Sequence, residues 1–253
     1  MKEIYTLIEN SVNASDKPAI LLSGGLDSTI LLHHLISKTN EKIYTYTMFQ
    51  ENVEESEEDK YYSEKIAKYY NTVHKSIKIS NFLDVLHELL PLMDRPRWNI
   101  WPYWCYKEAS KDKKVNIYIG EGFDEHFGGY WYKTPQTYQE YWSGVIEWSI
   151  PIHKIFCKKF GMNLETPFLT LPVEKTIAYW DPKNEKTYLR EIYKGEIPEF
   201  TRIRRKNPGR LDFISMWDKE FKPYIHKEKP KTREESYSII NRYATEKWLE
   251  LTK

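Results

Sequence analysis

The strongest constraint in this sequence is a short apolar run that stops at two glycines and passes straight into a helix. Residues 18–22 read as a buried strand, with Pro18 at its first position, where a missing N–H is tolerated. Ser23-Gly24-Gly25-Leu26-Asp27-Ser28-Thr29 follows, and Ile30, Leu31, Leu32 and Leu35 then recur at helical spacing. The same unit returns where residues 115–119 run into Gly120-Glu121-Gly122. Between the two copies the pattern predicts strands over 43–49 and from His74 to 79, and helices over 57–70, 82–90 and 103–110. Strands that alternate with helices need crossover connections, so the first half implies a parallel sheet with helices on its faces.

From about residue 135 onward the pattern is almost wholly helical, punctuated by Pro151, Pro167, Pro172, Pro182 and Pro198. No internal repeat or low-complexity linker interrupts the chain. The expectation is one α/β domain over 1–253: a parallel sheet of about five strands, flanking helices, and a helical C-terminal portion packed against it. Charge excludes one class of partner. With 38 Lys and Arg against 37 Asp and Glu, the net charge is +1, which offers no general attraction to a polyanion, so nucleic acid is not expected. Cys105 and Cys157 are too few for a disulfide framework and lack metal-ligand spacing. There is no signal-peptide apolar region and no run long enough to cross a bilayer, so a cytoplasmic protein is expected, with no membrane association.

The first glycine turn has phosphate-binding chemistry. Glycines let backbone N–H groups approach phosphate oxygens, and the following helix aims its unsatisfied N–H groups at the same point. Ser23, Ser28 and Thr29 add hydroxyl donors, so the expected contacts are Ser23, Gly24, Gly25, Leu26, Asp27, Ser28 and Thr29. Asp27 is informative because an acid beside phosphate is repelled unless a cation lies between them, which points to Mg²⁺. No Gly-Lys-Ser/Thr follows at the Walker spacing. The plainer reading, a Gly-Gly turn with Asp27 as a helix cap, lacks a reason for the strand, helix and hydroxyls around it.

The second turn, Gly120 to Tyr130, is predicted to meet the first, because the C-terminal ends of parallel strands share one edge. Six of the ten glycines, Gly24, Gly25, Gly120, Gly122, Gly128 and Gly129, lie in these two loops. Asp124 is then a second metal carboxylate, Glu121 an acid near the reacting groups, and Gly120 and Gly122 further nucleotide contacts.

Together the loops resemble the synthetase domain of the asparagine synthetase superfamily, which also contains β-lactam and carbapenam synthetases. Thr72-Val73-His74 is similar to the Thr-x-His of that family, and Asp94-Arg95-Pro96 stands where it often has Asp-Glu-Pro. Pro167-Phe168-Leu169 resembles its Pro-Phe-Leu-Asp. Lys186, Leu189 and Arg190 resemble its Lys-x-x-Leu-Arg, and Ile197-Pro198 its Leu-Pro. The resemblance implies an N-type ATP pyrophosphatase of adenine nucleotide alpha hydrolase-like fold, using ATP and Mg²⁺ to adenylate a carboxylate that ammonia or an amine then attacks. It adds Met48, in the second strand, to the nucleotide contacts. Read alone, Arg202-Ile203-Arg204-Arg205-Lys206 is a basic cluster suited to phosphate, to nucleic acid or to a solvated helix end. The resemblance makes Lys206 the catalytic lysine, with Arg204 supporting it, and leaves Lys186 in a segment expected to serve stability first.

The sequence also departs from the family. Asn163, Glu165 and Thr170 replace the usual Glu, Arg and Asp around Pro-Phe-Leu, Ile119 replaces a serine, and Phe123 a small residue. Aspartate is therefore not a secure substrate. Residues 97–104 are unusually aromatic and suit either a pocket for a larger substrate or a core beneath a Pro-rich loop. Lys2 stands where bifunctional members have the glutaminase cysteine, so nitrogen is expected as free ammonia, an amine, or ammonia from a separate amidotransferase subunit. Two other classes remain open: another ATP pyrophosphatase acting on tRNA or a nucleobase, and a non-catalytic nucleotide-binding subunit.

Overall fold

The computed structural model describes residues 2–129, 142–181, 183, 185–205, 211–225 and 228–252. Lys206, Tyr130 and Pro182 lie outside the described residues. The chain opens with α1 (Lys2–Ser11), β1 (Pro18–Leu21), α2 (Leu26–Lys38), β2 (Tyr44–Phe49), α3 (Glu54–Tyr69) and β3 (Val73–Lys78). Then come α4 (Phe82–Leu89), α5 (Tyr103–Lys111), β4 (Asn116–Tyr118), α6 (Phe123–Phe127), α7 (Ile150–Phe160) and β5 (Asn163–Glu165). The C-terminal portion used below comprises α8 (Thr187–Ile192), α9 (Glu199–Arg202) and α10 (Arg233–Leu251).

Among the described residues the strands form one sheet in the order β3-β2-β1-β4-β5, every pair parallel. Ala19 and Ile20 pair with Tyr44 and Thr45 of β2 on one side and with Ile117 and Tyr118 of β4 on the other. Connections leaving β1 and β4 therefore run in opposite directions, and a crevice opens between their C-terminal ends, where α/β sheets hold their ligands. Both glycine turns lie there.

Side-chain alternation along the strands builds a core on each face of the sheet. Ala19, Tyr46 and Ile117 enter one, with Leu86, Tyr106, Phe156 and Phe213, while Ile20, Leu22 and Tyr118 enter the other, with Ile8, Ile30 and Leu31. The C-terminal helix α10 contributes Ile240, Tyr243 and Ala244 to the first of these cores. Its start is capped, with the Thr232 hydroxyl accepting from the Glu235 N–H at 3.1 Å. No helix among the described residues is long and apolar enough to cross a membrane.

Two elements differ from the sequence expectation. β5 falls where the pattern reads as helical, and its three residues are too few to show any period. They become a strand because β4 offers a free edge: Asn163 pairs with Asn116, and its Nδ2 donates to the Asn116 Oδ1 at 2.9 Å. α3 begins at Glu54, three residues early, because Glu54, Glu55 and Glu57 suit the positive end of a helix.

Pro167-Phe168-Leu169 ties the later chain to the second glycine turn. The Phe168 ring stacks on Phe123 with centroids 3.7 Å apart, and both rings are fully buried. Phe168→Ala is expected to cost about 3 kcal/mol, read as a fall in urea midpoint. A cost below about 1 kcal/mol would show that the second turn does not depend on this contact.

Candidate functional site

The two turns meet over a cavity of about 330 Å³. Of the residues expected at a nucleotide, Ser23, Gly25, Leu26, Asp27, Ser28, Met48, Gly120 and Gly122 line it, together with Glu121, Asp124 and Arg204. Gly24 and Thr29 do not line the cavity. Thr29 is fully buried, and its hydroxyl donates to the Gly25 carbonyl at 2.7 Å, a bond within its own helix. Gly24 works from behind. At φ +74° it holds a left-handed turn, and a Cβ there would lie 2.8 Å from the Asp59 carbonyl.

Arg204 explains that crowding. Its guanidinium donates to the Gly24 carbonyl at 2.8 Å and to Asp59 Oδ1 of α3 at 2.7 Å, and it lies 4.2 Å from the centre of the Tyr62 ring. It therefore clamps the first turn onto α3. Arg190 braces the same region, donating to the Arg202 carbonyl and, at 2.9 Å, to the Arg204 carbonyl. The chain is thus fixed up to the point where Lys206 follows.

The centre of the site is Lys186, which the sequence placed in a structural segment. Its Nζ lies 2.5 Å from both Asp27 carboxylate oxygens and 2.6 Å from Asp124 Oδ1, with the lysine side chain only 6% exposed. Burial disfavours the ammonium, yet Asp124 and Asp27 outweigh burial and raise its pKa. The backbone is bent to place it: Lys186 has φ 54°, a left-handed conformation uncommon outside glycine. Asp181 holds that bend by accepting from the Thr187 N–H at 2.9 Å and its hydroxyl at 2.7 Å. Only the resemblance signalled this lysine in the sequence, because nothing local ties residue 186 to residues 27 and 124.

Asp124 is packed so tightly that a Cβ at Gly129 would fall 1.6 Å from its Oδ1. Glu121 accepts from the Ser149 hydroxyl at 2.9 Å. Glu125 is almost completely buried, with Oε2 accepting from the Gly122 N–H at 3.1 Å and Oε1 without a hydrogen bond among the described residues. Burial, with Asp124 and Glu121 adding to it, pushes its pKa up to about 8.

The metal expectation can be tested against these donors. Among the described residues no three acids, histidines or cysteines cluster as a complete ligand set. Asp27 and Asp124 do converge on one cationic atom, the Lys186 ammonium. Two hard carboxylates completed by phosphate oxygens and water suit Mg²⁺, which seldom takes an all-protein cage. The residues fit that ion.

A model of the asparagine synthase family matches residues 3–166. The chain belongs to the asparagine synthase family. No curated protein matches it significantly. Among solved structures it is similar to the U34-tRNA thiolase NcsA from Methanococcus maripaludis, at 15% identity and TM-score 0.48, covering 98% of this chain and 79% of that one. It is also similar to the NMN synthetase from Francisella tularensis, at 13% identity and TM-score 0.41, covering 100% and 94%. Likenesses at that level carry nothing about activity. The asparagine synthase match ends before Pro167, so the place of Lys186, Arg190 and Arg204 at the site comes from the structure.

Of the positions where this asparagine synthase relative departs from family pattern, only Ile119 lines the cavity. Phe123 lies beneath Phe168, Asn163 joins β5 to β4, and the Thr170 hydroxyl donates to the Pro167 carbonyl at 2.7 Å. The aromatic stretch divides between the two readings offered for it. Asn99, Trp101 and Pro102 line the cavity, whereas Trp98, Tyr103 and Trp104 pack into the core.

Two outcomes follow. Lys186→Met leaves two partly buried carboxylates without their cation and is expected to cost about 3 kcal/mol. Mg²⁺ with ATP should restore much of the lost melting temperature by supplying another cation; a loss unaltered by Mg²⁺–ATP would mean a purely structural lysine. Glu125 ionises near 4.5 when unfolded but only about 8 when folded. The wild type should therefore lose stability as pH rises from about 5 to 8, by on the order of 3 kcal/mol. Glu125→Gln should flatten that slope in urea titrations across this range, and an unchanged slope would assign it to another group.

Proposed function

We propose that this chain is an AMP- and pyrophosphate-forming ligase: it adenylates a carboxylate with ATP and releases AMP when ammonia or an amine attacks the acyl-adenylate. Membership of the asparagine synthase family supports an ATP-using ligase. The observation that carries the finer reading is the convergence of Asp27 and Asp124, one from each turn, on a single cationic atom. Carboxylates facing a phosphate turn need a shared cation, and that arrangement suits a pyrophosphate leaving group gripped at its β and γ phosphates.

The roles follow from position. The first turns of α2 offer N–H groups to phosphate, with Ser23 and Ser28 beside them. Asp27 and Asp124 would hold Mg²⁺, which when bound neutralises charge on the leaving oxygens. Lys186 balances both carboxylates and is in reach of whatever phosphate enters between them. Glu121 stands at the same wall, where it can accept a proton from an attacking amine. Arg204 and Arg190 fix the segment leading to Lys206, whose proposed part is to follow negative charge as it moves between phosphate and acyl carbon. Thiol chemistry is less well supported: both cysteines are buried, and burial raises both pKa values, that of Cys157 to about 12.

With a cognate carboxylate, turnover is expected to release AMP and pyrophosphate, and the adenylation half-reaction should exchange labelled pyrophosphate into ATP. Asp27→Asn and Asp124→Asn should each lower that exchange on the order of a hundredfold while circular dichroism stays unchanged. ADP and phosphate as products would remove the reading.

A further inference from the structure

Lys186 holds its place against its own backbone preference, and the residue that makes this possible does not line the cavity. A left-handed φ of 54° survives in a lysine only where the surroundings impose it. Asp181 imposes it here. The residue is 5% exposed, and both of its carboxylate oxygens are occupied. Oδ2 accepts from the Thr187 N–H at 2.9 Å and from the Thr187 hydroxyl at 2.7 Å, while Oδ1 accepts from the Lys183 N–H at 2.9 Å. Burial works against the charge of this carboxyl, but those donors outweigh it and keep its pKa below the ordinary value. Thr187 opens α8, so the bond to its N–H satisfies a donor that the helix itself cannot, and it fixes the chain one residue after Lys186.

The same residue is tied to the other side of the site. Its own N–H donates to the carbonyl of Phe127 at 3.1 Å, at the C-terminal end of α6, the helix that carries Asp124. A second tie runs beside it: His126 Nδ1 lies 2.6 Å from the Thr176 hydroxyl, and both residues are fully buried. Asp181 therefore bonds through its backbone to the element bearing one carboxylate and through its side chain to the element bearing the lysine. The Asp27 carboxylate arrives separately, on α2, and meets this unit through the Lys186 ammonium. No motif in the sequence signals Asp181, which stands beyond residue 166, where the asparagine synthase match ends.

We propose that Asp181 is a positioning residue, which sets the Lys186 ammonium between Asp27 and Asp124 and so couples Mg²⁺–ATP binding to a bend outside the cavity. The inference rests on the placement of Mg²⁺–ATP in the ligase reading above and extends it to a residue that acts only through Lys186. Without Asp181 the backbone at residue 186 relaxes out of its left-handed conformation, and a side chain leaving a rotated Cα no longer reaches both acids. The two carboxylates then repel each other in a poorly solvated crevice, a repulsion that a divalent cation relieves. A helix cap lost elsewhere in the chain has no such link to the nucleotide.

Melting temperatures with and without saturating Mg²⁺–ATP test this. Asp181→Ala should melt at least roughly 2–4 °C lower than the wild type in the absence of nucleotide. Mg²⁺–ATP should restore about half of that loss or more, the behaviour expected of Lys186→Met. In the Lys186→Met background Asp181→Ala should leave the Mg²⁺–ATP shift unchanged, because its effect runs through that lysine. Asp181→Asn, which keeps an oxygen acceptor for Thr187, should show a smaller loss with the same Mg²⁺–ATP dependence, and it serves if the alanine variant does not fold. Thr232→Ala is the comparison: it removes the cap of α10, which packs into the core, and its loss should be the same with and without Mg²⁺–ATP. An Asp181→Ala loss equally indifferent to Mg²⁺–ATP, or a change in the Mg²⁺–ATP shift that persists without Lys186, would overturn the inference while leaving the ligase reading intact. ADP and phosphate as products would remove the ligase reading without altering these shifts. Mg²⁺–ATP that moves neither the wild type nor any variant would overturn both.

Discussion

One buried ammonium holds this site together. Lys186 reaches Asp27 from the turn after β1 and Asp124 from the turn after β4, and it comes from a third region, the start of α8. Without it, two carboxylates brought to the same crevice would repel each other in a poorly solvated place, which usually ends in protonation or local opening. The strained φ of Lys186 shows how firmly its neighbours impose this position, since nothing in the side chain itself favours a left-handed backbone. Glu125 shows the alternative. With no ion pair among the described residues, it is held protonated well into the neutral range by burial and by the acids beside it.

The C-terminal portion acts on the site mainly by restraint. Arg204 grips the first turn through a carbonyl that phosphate does not need, leaving the N–H groups of α2 free for a ligand. Arg190 then ties down the carbonyls around Arg204. A phosphate turn made of glycines gains closeness to its ligand but loses conformational order, and these two guanidiniums offset that loss. The cavity itself is lined from separate elements: the two turns and the start of α8 on one side, the loop before α5 and the first turn of α7 on the other.

Much was legible from the sequence because it is local. An apolar run ending in Gly24-Gly25 and followed by Ile30, Leu31 and Leu35 has few alternatives to a strand, a turn and a helix, and strands alternating with helices up to Gly120 made a parallel sheet the natural frame. Parallel topology in turn places Asp27 and Asp124 at one edge of the sheet. Tertiary structure decided whatever depends on partners distant in the chain. β5 has three residues and no period, so only the open edge of β4 makes it a strand. Lys186 is 159 residues from Asp27, and a lysine pattern on a short helix cannot announce a buried ion pair across that separation. Local sequence settles which backbone shapes are cheap; which side chains lose water together is set by packing between segments, and that belongs to the fold.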